Sequence, residues 1–560
     1  MFRLLHLLRL TEYGTNKVVK DGLSALTCME HRGGCGGDSV SGDGAGVMTE
    51  IPWKIFKDFT SESCPRPGVG QVFMPRDETR RNAVKAVMEK VATENGLIWL
   101  GWREAPTDPD VLGPLARASM PSVWQFFVKP SEDFDDEDEK ARDAFERTLY
   151  FVRRRFAVEL AKQGLEWDDD DGVVYLPSFS SRTIVFKGMV QSEVLSLFFL
   201  DLQNPDYTSK FMIYHRRFST NTTPKWPLAQ PMRTVGHNGE INTLLGNVNW
   251  VRAREKSKTI EAGDITDDGS ENIVTMCEKQ DIPSLLESVV SLERSDSANL
   301  DGVFELMCQS DHSAPCALMA MVPTAYMENP DLKDNPEITD FYKFHGGKLE
   351  AWDGPALLVY SDGKSIGASL DRNGLRPARF SRTKDGTTYM MSETGVIPNL
   401  DEATIVEKGR LGPGQMVNID LTTGTFKDNI AIKSEIAKRK STTNCHATMY
   451  CFLCERMGTN TMFYTICMFS QIILTVNGWR SRERMFRKHQ LIPNACMTTK
   501  LPLSPNNLLD GVSKILVCKF RTWLVLEKKP RTPWEMMPRL LYSLNARTQF
   551  TITSNSVLLK

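Results

Sequence analysis

The first 440 residues lack any cysteine pattern of the kind that staples a small secreted scaffold or holds zinc. Six cysteines occur there (Cys28, Cys35, Cys64, Cys277, Cys308, Cys316), scattered along the chain, which excludes a disulfide framework and suits a reducing compartment. Net charge is also nearly absent, with 68 Lys and Arg against 70 Asp and Glu. Such a balance carries no overall signature for nucleic acid or a membrane surface. Clean apolar runs of membrane length are missing. The nearest, residues 457–479, has no charged residue but is interrupted by Thr, Asn, Ser and Gln, so a membrane span is not expected. No internal repeat stands out.

What remains is ordinary globular composition, 41% apolar and 25% charged over 560 residues, enough for two to four domains at about 150 residues each. The even charge conceals a change along the chain. Residues 1–440 hold 52 basic and 65 acidic residues, and residues 441–560 hold 16 and 5. The shorter segment also carries six of the twelve cysteines. The composition therefore divides the chain near Cys445 and leaves 436–560 as an unassigned basic, Cys-rich tail. Its Cys445, His446, Cys451 and Cys454 resemble half a zinc site, but no second pair follows at a usable spacing.

The periodicity predicts a helix over 77–95, with Val84, Val87, Met88 and Val91 on one face, Asp77 before it and Gly96 after it. The acidic run "SEDFDDEDEK" reads as a solvated loop. It leads into a second helix lined by Phe145, Leu149, Val152, Phe156 and Leu160 and closed by Gly164; Arg153, Arg154 and Arg155 are expected on its exposed side. "PALLVYSDGKSIGASL" and "ARFSRTKDGTTYMM" are apolar runs about Asp-Gly turns, the signature of hairpins, and "GQMVNIDLTTGTF" offers a looser third. Helices followed by antiparallel hairpins suggest α+β layers packed face to face.

Chemistry concentrates in polar, glycine-rich stretches. "GHNGEINTLLGNVNW" (236–250) holds four Asn, three Gly and one His. Asn238 and Gly239 suit an oxyanion hole, one donor being a side-chain amide and the other a backbone N–H approached without a Cβ; an Asn-Gly turn is the plainer meaning of the same dipeptide. Upstream, "YHRRFSTNTTPKWPLAQPM" sets Arg among small polar residues, as carboxylate capture requires. "EHRGGCGGDSVSGDGAGV" places Arg32 in a Gly-rich stretch, and "ERSDSANLD" presents Asp296 as a partner for an ammonium group. Together these residues describe a pocket for an α-amino acid that undergoes acyl transfer.

These segments, in this order, resemble the class II glutamine amidotransferase (glutaminase) domain of glutamate synthases, over approximately residues 14–435. "WDGPALLVYSDGKSIGASLDRNGLRPARF", "MSETGV" and "KGRLGPGQM" extend the likeness. The resemblance implies an α+β fold, the four-layer αββα sandwich of N-terminal-nucleophile hydrolases. It implies L-glutamine as substrate, with Arg217 on its α-carboxylate, Asp296 on its α-amino group, Asn238 and Gly239 as oxyanion hole, and Arg32 close to the nucleophile. It also implies a synthase region carrying FMN and an iron–sulfur cluster; no cofactor and no metal site are expected in this chain. The family's nucleophile is an N-terminal cysteine roughly thirty residues before the HRG arginine, and here that count falls at about Phe2, within "MFRLLHLLRL". Residues 1–13 are accordingly read as an atypical start in place of the nucleophile strand. The opening is too short for a convincing targeting peptide, and plastid, mitochondrion and cytosol stay open. Phe2–Leu10 is an imperfect substitute strand, because its Arg and His positions do not alternate cleanly. On this reading the chain as written lacks turnover, and the alternative function is a non-catalytic glutamine- or glutamate-binding protein.

Overall fold

In the strand Phe211–Arg216, successive side chains go to two different cores. Phe211 and Ile213 pack with Leu357, Val359, Ile366, Ala368, Val417 and Ile419. Met212 and Tyr214 pack with Val18, Val19, Ala25 and Leu26 of the helix Asn16–Thr27. The period of two is that of a strand buried on both faces. The computed structural model that shows this describes residues 3–9, 14–131, 134–165, 174–217, 224–257, 289–310, 312–398 and 400–439, with backbone alone for 3–9 and 254–257. They belong to one unit, Met1–Phe452. A second unit, Leu453–Lys560, lies outside the described residues, as do the tail cysteines and the 457–479 run.

The strands are β1 (Arg3–Arg9), β2 (Ala45–Glu50), β3 (Gly68–Met74), β4 (Leu97–Glu104), β5 (Ser122–Pro130), β6 (Tyr175–Ser180), β7 (Thr183–Gly188), β8 (Phe211–Arg216), β9 (Val235–Gly239), β10 (Ala356–Ser361), β11 (Ser365–Leu370), β12 (Arg379–Thr383), β13 (Thr387–Met391), β14 (Ile405–Arg410), β15 (Met416–Asp420) and β16 (Phe426–Lys427). They form a seven-stranded sheet in the order β14-β12-β13-β1-β8-β2-β7, a five-stranded sheet β16-β15-β11-β10-β9, and a four-stranded sheet β4-β5-β3-β6. All the paired strands run antiparallel.

The first two sheets face each other through the core containing Phe211 and Leu357. The outer face of the five-stranded sheet is covered by helices: Leu358 and Tyr360 pack with Leu300, Val303 and Phe304 of Asp296–Gln309. Met416 packs with Met319, Phe341 and Ile436 from three further helices. The helix–sheet–sheet–helix layering is thus the expected α+β sandwich. Each such fully buried apolar side chain contributes about 1.5–3 kcal/mol. The four-stranded sheet is an addition that the sequence patterns do not reveal.

The helix Glu78–Glu94 forms as expected, its first turn capped by the Asp77 side chain, which accepts from the Arg80 N–H, and Val84, Val87, Met88 and Val91 are buried. The hairpins turn at Gly363 and Gly386, both at positive φ (78° and 80°). The arginine triplet departs from expectation. The helix Glu139–Lys162 is buried on more than one face, so Arg153 and Arg154 are each only 8% exposed and Arg155 is half-buried. Arg153 reaches Glu305 at 2.5 Å. A neighbouring helix carrying a carboxylate, rather than water, balances the charge, as a buried guanidinium requires.

The N-terminal segment forms the substitute strand despite its imperfect alternation. β1 occupies the middle of the seven-stranded sheet, with Leu5–Arg9 paired to β13 and Arg3–Leu8 paired to β8. A central place requires backbone pairing on both edges, which imperfect side-chain alternation does not prevent. Among the described residues no helix is long and apolar enough to cross a membrane. Because β1 bonds on both edges, Leu7→Pro should remove a ladder donor and leave a partner unpaired. Unfolding in urea should show a loss of at least about 1–3 kcal/mol; unchanged stability would mean β1 is not held there.

Candidate active site

The groups singled out by sequence gather where β8 and β9 end. β8 closes on Arg216, whose side chain is fully buried. Its guanidinium donates to Glu30 (2.7 and 3.2 Å), to the carbonyls of Gly44 (2.9 Å) and Gly34 (3.3 Å), and to Asp43. Burial pushes the Glu30 carboxyl up, and Arg216 together with the hydrogen bond from the Ser192 N–H more than reverses this, leaving it below its ordinary value. Gly33 leaves room for this contact, since a Cβ there would lie 1.8 Å from the Arg216 guanidinium.

Arg217, one residue on, has φ 95°. Its N–H donates to the Gly44 carbonyl at 2.7 Å and its Nε stands 2.7 Å from Asp43. Asp43 therefore serves two arginines, one buried and one partly exposed. Arg32 lies in the short turn Glu30–Arg32 and donates to Glu393 through Nε (3.3 Å) and Nη2 (3.4 Å). Glu393 follows β13, the neighbour of β1, so Arg32 borders the end where β1 begins. The Cα pairing of β1 with β8 starts at Arg3 opposite Arg216; Phe2 lies outside the described residues. Neither neighbouring cysteine combines a thiol with a free amine. Cys28 is an exposed helix cap, and Cys35 is an exposed loop residue whose Sγ accepts from Gln191 at 3.4 Å.

Asn238 and Gly239 end β9, an edge strand bonded only to β10. Val235 and His237 donate their N–H groups at the free edge, to Asp301 (3.0 Å) and Gln230 (2.7 Å). The alternation of an antiparallel ladder puts the Gly239 N–H on that same edge, where no described side chain accepts from it. Asn238 is buried, and its Oδ1 has no donor among the described residues. Gly239 has φ 147°, and a Cβ there would meet the Pro355 carbonyl oxygen at 1.8 Å. Only glycine fits, and the Asn-Gly pair is a strand end rather than a turn.

Asp296 opens the helix Asp296–Gln309 and is 7% exposed. Its carboxylate accepts from the N–H groups of Ile241 (3.1 Å) and Ser297 (2.7 Å), and a negative charge at a helix N-terminus is favoured. Ser297 Oγ lies 2.9 Å from His237 Nδ1, which joins the ammonium-binding candidate to the oxyanion candidate. His215 joins them to the arginines: its ring nitrogens stand 3.0 Å from the Arg217 carbonyl and 3.1 Å from that of His237, spanning the two sheets. Sequence reading missed Arg216, Asp43, His215, Gln230, Ser297 and Glu393. The doubled arginine of "HRRF" was the available signal, because neighbours on a strand face opposite sides. A cavity of 430 Å³ lies near Arg233 and Thr234, at the opposite end of β9, and includes none of these groups.

The sequence model of class-II glutamine amidotransferases matches residues 6–444. The chain belongs to this family. The amidotransferase is 47% identical over 427 residues to a chloroplastic ferredoxin-dependent glutamate synthase of Oryza sativa subsp. japonica, covering 75% of this chain and 25% of the relative. It is also 47% identical over 428 residues to ferredoxin-dependent glutamate synthase 2 of Synechocystis sp., again 75% of this chain and 25% of that one. The chain thus spans about a quarter of the length of these relatives, and it is homologous to their glutaminase part. Among solved structures, the allosteric regulatory enzyme of purine biosynthesis aligns over 76% of this chain and 48% of its own, with 13% identity and a TM-score of 0.29.

Two outcomes follow from the geometry. Burial pushes the His215 imidazole down to about 4, against the pull of the two carbonyls. The neutral ring is the folded form, so stability is fully present above about pH 6.5 and falls as pH drops towards 4, by about 3 kcal/mol. Chemical denaturation across that range should show this slope, and His215→Gln should flatten it. Gly239→Ala should displace the end of β9, so unfolding in urea should show a loss of about 1–3 kcal/mol.

Proposed function

We propose that this chain is the glutamine-hydrolysing part of a glutamate synthase. L-Glutamine binds with its α-carboxylate on Arg217, which shares that role with the pairing to Asp43, and its α-ammonium on Asp296. The carboxamide oxygen lies between the Asn238 amide and the Gly239 N–H. The observation that carries the reading is the run of contacts Arg217–His215–His237–Ser297–Asp296, in which the His215 ring lies between the Arg217 and His237 carbonyls and so brings the amino-acid-binding candidates beside the oxyanion strand.

The reaction requires a thiol whose own free α-amine takes its proton. Sulfur bonds to the amide carbon, the developing oxyanion is held by Asn238 and Gly239, and ammonia leaves with the transferred proton. Water then cleaves the thioester to glutamate. Each oxyanion donor is worth about 2.7–4 kcal/mol in such steps. Arg32, oriented by Glu393, borders the place of the thiol. Ammonia is consumed by 2-oxoglutarate in a synthase region beyond the matched quarter of the relatives, where FMN and the iron–sulfur cluster also belong. Relatives described as chloroplastic, and one from Arabidopsis thaliana described as chloroplastic/mitochondrial, support an organelle. A second reading, a glutamine or glutamate binder without turnover, is favoured by the positions of Cys28 and Cys35.

Calorimetry with L-glutamine should show binding, and Arg217→Ala and Asp296→Ala should each weaken it by about 1.5–3 kcal/mol. Folded protein without binding would sink both readings. Phe2→Cys with the initiator methionine removed, which sets a thiol and a free amine directly before Arg3, should release ammonia from L-glutamine. Binding without release would favour the binder.

A further inference from the structure

We infer that Gln230 is a positioning residue for the oxyanion strand, acting in place of a missing neighbouring strand. β9 is the last strand of its sheet, yet it must hold two donors in register. An unpaired edge is where a sheet frays most readily. Gln230 is 1% exposed and lies beyond β9's free edge. Its Oε1 accepts the His237 N–H at 2.7 Å and its Nε2 donates to the His237 carbonyl at 3.1 Å. One side-chain amide thereby supplies the acceptor and donor that a peptide group of a sixth strand would supply. Nε2 also reaches Ser297 Oγ at 3.3 Å.

The two contacts of His237 are not equally replaceable. Its carbonyl keeps the second contact from His215 Nε2, but Gln230 is its only N–H acceptor among the described residues. Losing Gln230 would leave a buried donor unpaired one residue before Asn238, and the strand end would shift to satisfy it. Arg217 is held instead by Gly44 and Asp43, and Asp296 by Ile241 and Ser297. Gln230 therefore sets the place of the carboxamide oxygen far more than that of the α-groups.

This inference rests on the glutamine-site reading, so its test separates the two. Affinities of L-glutamate and L-norvaline are measured by calorimetry for the unaltered chain and for Gln230→Met, which keeps the shape but loses both bonds. Norvaline carries the same α-groups and carbon chain without a side-chain oxygen. The expected result is about a tenfold loss for glutamate and less than about twofold for norvaline. An equal loss for both ligands would mean a merely structural role and overturn the inference, as would an unchanged glutamate affinity. Hydrogen exchange on the unaltered chain decides the case if the variant does not fold. The His237 amide should be protected like those of β10 despite its edge position, and rapid exchange there would overturn the proposal. If the unaltered chain binds neither amino acid, the glutamine-site reading fails, while the exchange result still reports on what Gln230 holds.

Discussion

The buried Arg216 guanidinium is the contact on which the site depends. A charge without water must be matched at every face, and Arg216 is matched by Glu30, Asp43 and two backbone carbonyls. These partners come from the turn before β2 and from the approach to β2 itself. Satisfying one side chain therefore fixes the Gly-rich loop against the end of β8. Removing either carboxylate would leave the guanidinium with a single one, and removing both would leave an uncompensated buried charge, at about 3–5 kcal/mol. The same demand explains Gly33, whose missing side chain leaves the space the guanidinium fills.

Asp43 then carries this constraint outward to Arg217. The partly exposed Arg217 is thus placed beside a carboxylate already held by its neighbour. Across the sandwich, His215 extends the network to β9, where Gln230 and Asp301 complete the free edge with side chains. Both sheets thus end in the same polar layer, and their apolar interior lies behind it. A strand edge that would be a liability elsewhere is here closed by buried side chains at Val235 and His237.

Much of this was legible in the chain. The hairpins announced themselves through Asp-Gly turns, and the helix Glu78–Glu94 through its cap and apolar spacing. Arg32, Arg217, Asn238, Gly239 and Asp296 stood in polar, glycine-rich stretches that a core would not use. The positions that escaped notice share one property: their partners are distant in sequence. Arg153 and Arg154 looked solvated because nothing local shows Glu305 arriving from another helix. Gln230 drew no attention in the sequence, since its role exists only beside an unpaired edge. β1 read poorly because a central strand is held by backbone bonds to β13 and β8, which leave no mark on side-chain alternation.

The sequence by itself determined the helices Glu78–Glu94 and Glu139–Lys162 and the Asp-Gly hairpins, and which residues carry amide, guanidinium and carboxylate chemistry. Those properties follow from local periodicity and from functional groups, both carried by neighbouring residues. Tertiary structure alone decided which arginine is buried and which is partly exposed, and which side chains finish the β9 edge. It also decided that Asn-Gly ends a strand instead of turning one. Each of those outcomes depends on a hydrogen-bonding demand created by burial, and burial is settled only when remote segments pack together.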